Sequence, residues 1–151
     1  MRVELLHGTE TGTAELVCED MEAAVSDRAD TSVKSMEDVD PTALDGDTLY
    51  VFVCSTFGRG DLPTTAEGFH TALTGKKPDL SHVRFAIFGL GDKTFGETFA
   101  QGSEKLMDAM KACGATMIGD RGIADAASVD LPEDVAVPWL EGILEKAAET
   151  A

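Results

Sequence analysis

Two stretches, "TLYVFVC" (residues 48–54) and "VRFAIFG" (83–89), restrict this chain more than any other feature. Each is short, β-prone and apolar at nearly every position. A strand with one wet face alternates apolar and polar residues, so near-continuous apolarity marks burial on both faces, as in a parallel sheet covered by helices. Helical patterns fill the intervals. Residues 13–26 space Ala14, Val17, Cys18, Met21, Ala24 and Val25 along one helical face, with Glu15, Glu19, Asp20 and Glu22 on the other. Further helices are predicted over 65–74, over 97–113 with Gly114 as C-cap, and over "LPEDVAVPWLEGILEKAAE". In the last, Leu140, Ile143, Leu144 and Ala147 share a face, and Pro138 is expected to delay the start or bend the helix. "RVELL" (2–6), the weaker edge candidate "TSVKSM" (31–36) and "TMIG" (116–119) complete the set of strands. The expectation is one α/β domain over residues 1–151. It is a doubly wound parallel sheet of five strands in the order 2-1-3-4-5, with right-handed crossovers.

In such a sheet, ligands bind beyond the carboxyl ends of the strands, where the strand order reverses. Three segments lie there: "HGTETGT", "STFGRGDLP" and "GLGDKTFGE". The first joins a strand to a helix, so it aims backbone N–H groups at one point, at the positive end of the helix dipole. Thr9, Thr11 and Thr13 add hydroxyl donors, Gly12 permits close approach, and Glu10 is compatible with an anion if its carboxylate faces solvent. A phosphate monoester suits this loop without any basic side chain. The plain alternative is a threonine-rich helix cap with no ligand. No lysine follows Gly12, so the loop is not a P-loop, and "GLGDKTFG" fits G-x-G-x-x-G only loosely. A phospho-acceptor receiver domain needs acids where Leu6-His7 and Cys54-Ser55 stand. The other two loops each hold an aromatic, Phe57 and Phe95. Either could pack on a neighbouring loop; beside a phosphate cradle, the pair fits a flat ring clamped between two loops. Flavin mononucleotide (FMN) has that shape.

Charge decides which partners are excluded. Twelve basic residues stand against 28 acidic ones, a net charge of −16. A phosphate backbone requires a basic footprint, so no nucleic-acid partner is expected. The acidic surface either serves solubility, including in a salty habitat, or steers the chain toward basic partners. No apolar run reaches membrane-spanning length and no signal peptide is visible. Cys18, Cys54 and Cys113 form no C-x-x-C pair and read as buried thiols in a reducing, cytoplasmic setting. His7, His70 and His82 are isolated in sequence, so no metal site is expected.

The three loops together resemble a known family. "TETGTAE" is similar to the phosphate loop of flavodoxins and of the FMN domains of cytochrome P450 reductase and sulfite reductase. "STFGRGDLPTTAEGFHTAL" and "FGLGDKTF" are similar to their second and third flavin loops, and "KPDLSHVRF" and "DLPEDVAVPWL" resemble the MioC-type, short-chain proteins. The resemblance implies that Thr9, Glu10, Thr11, Gly12, Thr13 and Ala14 bind phosphate. It implies that Ser55 and Thr56 flank the ribityl chain and ring, that Phe57 and Phe95 stack on the two ring faces, and that Gly58, Leu90, Gly91 and Asp92 line the ring's edges. Two departures stand out: both stacking positions are Phe where the family commonly has Trp or Tyr, and Arg59 stands where an acidic or neutral residue is usual. The implied role is a monomeric, non-catalytic electron carrier using FMN between a flavoprotein reductase and an acceptor, both of them basic partners. The alternatives are an FMN-dependent reductase enzyme and an FMN-carrying subunit of a larger complex. Trp139 is expected in the core.

Overall fold

The computed structural model describes residues 2–9, 12–55, 62–91, 101–125 and 131–149. The strands are β1 (Arg2–Gly8), β2 (Asp30–Ser35), β3 (Thr48–Ser55), β4 (Arg84–Gly91), β5 (Thr116–Met117) and β6 (Gly122–Asp125). The helices are α1 (Thr13–Val25), α2 (Thr64–Lys76), α3 (Gln101–Ala112) and α4 (Pro132–Glu149). All strand pairs are parallel, in the order β2-β1-β3-β4-β5, with β6 also on β4. This is the predicted doubly wound α/β sheet.

The two-sided burial read from β3 and β4 is what the side chains show. Val51, Val53, Ala86, Phe88 and Leu90 face one layer with α1 and α4, and Phe52, Cys54, Phe85 and Ile87 face the other with α2 and α3. Between β2 and β3 the crossover is not a long helix but two 3-10 turns, Met36–Asp38 and Pro41–Ala43. The buried Met36 and Pro41 anchor them. Helix α3 ends as foreseen at Gly114. Ala115 N–H donates to the Met110 carbonyl at 3.2 Å and Gly114 N–H to the Lys111 carbonyl at 3.0 Å, the two bonds of a Schellman cap.

Several expectations need correction. The last strand begins in "TMIG", at Thr116, but does not run on unbroken. It pairs with β4 at Met117, breaks, and resumes at Gly122, so β4 advances from Phe85 to Phe88 while the edge advances from Met117 to Gly122. Gly119 sits at φ +69°, outside strand geometry, and a Cβ there would meet Ile143 Cδ1 at 2.6 Å. The edge therefore turns aside against α4. Trp139 locks the detour by donating its indole N–H to the Asp120 carbonyl at 3.0 Å. Trp139 is consequently only partly buried, at the margin of the core rather than inside it, with its ring 5.3 Å from that of Phe88. Pro138 neither delays nor ends α4, which starts at Pro132. The missing hydrogen bond would have gone to Asp134, an exposed residue whose carbonyl water can serve, while Ala136 and Leu140 on either side are fully buried. Ala24 is exposed and not part of the α1 stripe.

Gly122 tests this edge. A Cβ there would lie 2.5 Å from Phe88 Cδ2 and 2.9 Å from both Trp139 Cδ1 and Nε1. These are packed rings, not flexible ends. Gly122→Ala is expected to cost about 1–3 kcal/mol by overpacking. Thermal unfolding followed by circular dichroism should show a lower midpoint, by about 2–4 °C per kcal/mol. An unchanged midpoint would mean that the edge yields freely.

Candidate functional site

The parallel register brings three chain exits to one edge of the sheet. Gly8 pairs with Cys54, Cys54 with Gly89, and Ser55 with Leu90. The chain therefore leaves β1, β3 and β4 at neighbouring points. Of the residues proposed from sequence, Ser55, Leu90 and Gly91 end their strands, Thr9 follows the last pair of β1, and Gly12, Thr13 and Ala14 open α1. Glu10, Thr11, Thr56, Phe57, Gly58, Asp92 and Phe95 lie outside the described residues, as does Arg59.

The first loop is built around Gly12. It is the N-cap of α1, with φ 91° and ψ −1°, and as a glycine it has no side chain of its own to cap the helix. An L side chain in this left-handed conformation is strained, which is why glycine stands here. A Cβ added at Gly12 would meet no atom of the described residues within 4 Å. Thr9 is buried, at 8% exposure, and its hydroxyl accepts the Gly12 N–H at 2.9 Å. That bond uses a lone pair and leaves the hydroxyl hydrogen as a donor. A helix start at a left-handed glycine, beside a buried threonine hydroxyl, suits a phosphate. Ala14 packs in the core and Thr13 faces out.

The strand ends behave differently. Leu90 turns its side chain into the core, at 7% exposure, so only its backbone is available at the edge. Ser55 and Gly91 are half-buried. Burial pushes the neighbouring Cys54 thiol up to about 12, and Cys18 is pushed up by burial and then by Glu15, Glu19 and Glu22. The thiolate is the reactive form, so neither cysteine is a nucleophile at neutral pH. Among the described residues no group of His, Cys, Asp and Glu could hold a metal ion. Nor, among the described residues, is any helix long and apolar enough to cross a membrane.

Sequence reading missed Thr65. Its hydroxyl accepts from the Thr9 N–H at 2.8 Å and donates to the Thr9 carbonyl at 3.1 Å. The only trace in the sequence is a second threonine at the start of α2, where Thr64 already stands.

The fold is that of a flavodoxin, and the matches that follow make the chain a flavodoxin-like electron-transfer protein whose cofactor is FMN. The chain belongs to the flavodoxin family, whose sequence profile matches residues 5–139. It is similar to Protein MioC of Escherichia coli K12, 32% identical over 138 residues that cover 91% of this chain and 92% of that protein. It is also similar to NADPH-dependent diflavin oxidoreductase 1 of Emericella nidulans, 36% identical over 143 residues. That match covers 91% of this chain but 22% of the larger protein, so the chain spans about a fifth of that relative. Among solved structures, a point-mutant flavodoxin from Pseudomonas aeruginosa superposes with a TM-score of 0.83 at 25% identity, covering 97% of this chain and 98% of that one.

Proposed function

We propose that the chain holds FMN across the carboxyl ends of β1, β3 and β4 and relays single electrons from a flavoprotein reductase to a basic acceptor protein. The observation that carries this reading is the left-handed Gly12 N-cap beside the buried Thr9 hydroxyl that accepts its N–H. Thr9 to Ala14 hold the phosphate, with the dipole of α1 offsetting its charge and the Thr9 hydroxyl as donor. Ser55 and Thr56 flank the ribityl chain, and Gly58, Leu90, Gly91 and Asp92 border the ring, Leu90 through its backbone alone. Phe57 and Phe95 cover the two ring faces and exclude water. When bound, FMN supplies the one-electron chemistry, and the protein binds, orients and tunes it.

A basic partner follows from charge. Helix α1, next to the phosphate loop, exposes Glu15, Glu19 and Asp20 and contains no Lys or Arg. Exposed charges steer encounter but are screened by salt beyond about 8 Å at physiological ionic strength. The rate of electron transfer from a flavoprotein reductase, followed by stopped flow, is expected to fall by about tenfold or more as salt rises from roughly 0.01 to 0.3 M. A salt-independent rate would return the acidic surface to solubility alone. The likeness to part of a larger diflavin protein favours one further reading, an FMN-carrying subunit. A stable complex at a mass above the monomer, in size-exclusion chromatography with the reductase, would select it. Steady-state turnover with NADPH and no partner would instead select a reductase enzyme. The three free cysteines fit a reducing, cytoplasmic setting.

A further inference from the structure

The structure assigns Thr65 to the site as a positioning residue that holds Thr9 and, through it, the Gly12 start of α1, and so sets the preference for FMN over its dephosphorylated form, riboflavin. This rests on the reading of residues 9–14 as the phosphate site.

Thr9 is the first residue beyond the ladder, since the last pair of β1 joins Gly8 to Cys54. Its N–H and C=O have therefore lost their sheet partners, yet Thr9 is buried. Buried peptide groups left unpaired are costly. A single hydroxyl, that of Thr65, satisfies both groups, accepting at 2.8 Å and donating at 3.1 Å. One donor hydrogen and two lone pairs allow both bonds at once. The chain separation is 56 residues, so no local turn supplies the tie.

Helix capping does not explain it. Helix α2 begins at Thr64 with Pro63 as N-cap and no side-chain cap hydrogen bond. The Thr65 hydroxyl is directed away from its own helix, into the neighbouring loop. The tie then continues: Thr9 held by Thr65 presents its own hydroxyl to the Gly12 N–H at 2.9 Å, which fixes the left-handed N-cap of α1. Close packing sets the spacing. A Cβ on Gly8 would lie 2.8 Å from the Ala66 Cβ and 3.0 Å from Met36 Sδ, so β1 and α2 touch one residue before the tie. Thr65 thus acts on the anion through Thr9 and Gly12, not by touching it.

Thr65→Val keeps the side chain's shape and removes both bonds; Thr65→Ser keeps the hydroxyl. Apo protein is titrated with FMN and with riboflavin by quenching of flavin fluorescence. In Thr65→Val the ratio of the riboflavin to the FMN dissociation constant is expected to fall about tenfold, mainly through weaker FMN. Thr65→Ser is expected to bring the ratio back to within about threefold of wild type. Hydrogen exchange of the apo protein supplies a readout without flavin: the Thr9 amide should exchange at least about tenfold faster in Thr65→Val. A ratio within about twofold of wild type, or a parallel loss of both flavins, would overturn the role of Thr65 while leaving the phosphate site in place. A wild-type protein that binds riboflavin as tightly as FMN would overturn the phosphate site and this role together.

Discussion

Gly12→Val is expected to weaken FMN about a hundredfold while riboflavin weakens by less than about fivefold. Two effects act on the same residue. The first is conformational: φ at position 12 is 91°, and a β-branched L residue in the left-handed region costs about 1–2 kcal/mol. That strain loosens the bond from the Gly12 N–H to Thr9 and with it the start of α1. The second is steric, and it is aimed outward. A Cβ at Gly12 meets no atom of the described residues within 4 Å, so the valine is expected to fit the apo chain and to take up the space that the phosphate needs. A phosphate there loses close approach to backbone donors, and a hydrogen bond to a charged group is worth about 1.5–3 kcal/mol. Losing one or two accounts for the expected factor. Riboflavin carries no phosphate and should notice mainly the strain. Fluorescence titration of both flavins separates the two effects, and an equal loss of FMN and riboflavin would place the phosphate elsewhere.

The parts of this molecule that could be read from sequence are those where local pattern and tertiary environment agree. Strands β3 and β4 are apolar on both faces because both faces are covered, and α1 shows its buried stripe because one face packs on the sheet. Gly12 and Thr9 stand out in the sequence because a strand-to-helix loop has few ways to present donors, and the structure adds the hydrogen bond between them. The failures lie where distant contacts override local preference. Nothing within "TMIGDRGIAD" tells that Gly119 abuts Ile143 or that Trp139 grips Asp120, so the broken edge was unreadable. Pro138 was read by its missing donor, whereas the buried face on either side of it keeps α4 continuous. Thr65 is invisible for the same reason: its partner is Thr9, on another strand's loop. The two aromatic loops stand on pattern alone, since Phe57 and Phe95 lie outside the described residues.

Phe52→Ala is expected to be the most damaging change to the fold, and to spare the preference for phosphate. Phe52 is fully buried at the middle of β3, in register with Leu6 of β1 and Ile87 of β4. Its ring meets Phe69 of α2 edge-on at 5.5 Å and Phe85 of β4 at 6.2 Å. Truncation removes the ring's transfer free energy and leaves a cavity that three strands and a helix cannot close, about 3–5 kcal/mol in all. Against a typical total of about 5–15 kcal/mol, that is a large share. The thermal midpoint of the apo protein should fall by about 6–20 °C, at about 2–4 °C per kcal/mol. A flavin that binds only the folded state restores part of the loss, about 2.7 kcal/mol at a hundred times its dissociation constant. The ratio of riboflavin to FMN affinity should nonetheless stay near wild type, because Thr9, Gly12 and Thr65 keep their hydrogen bonds. Gly12→Val should do the reverse, with a modest thermal shift and a large change of ratio. If Phe52→Ala instead erased the preference for FMN, the cradle would depend on the core beneath it, and the separation of site from scaffold argued from these hydrogen bonds would fail.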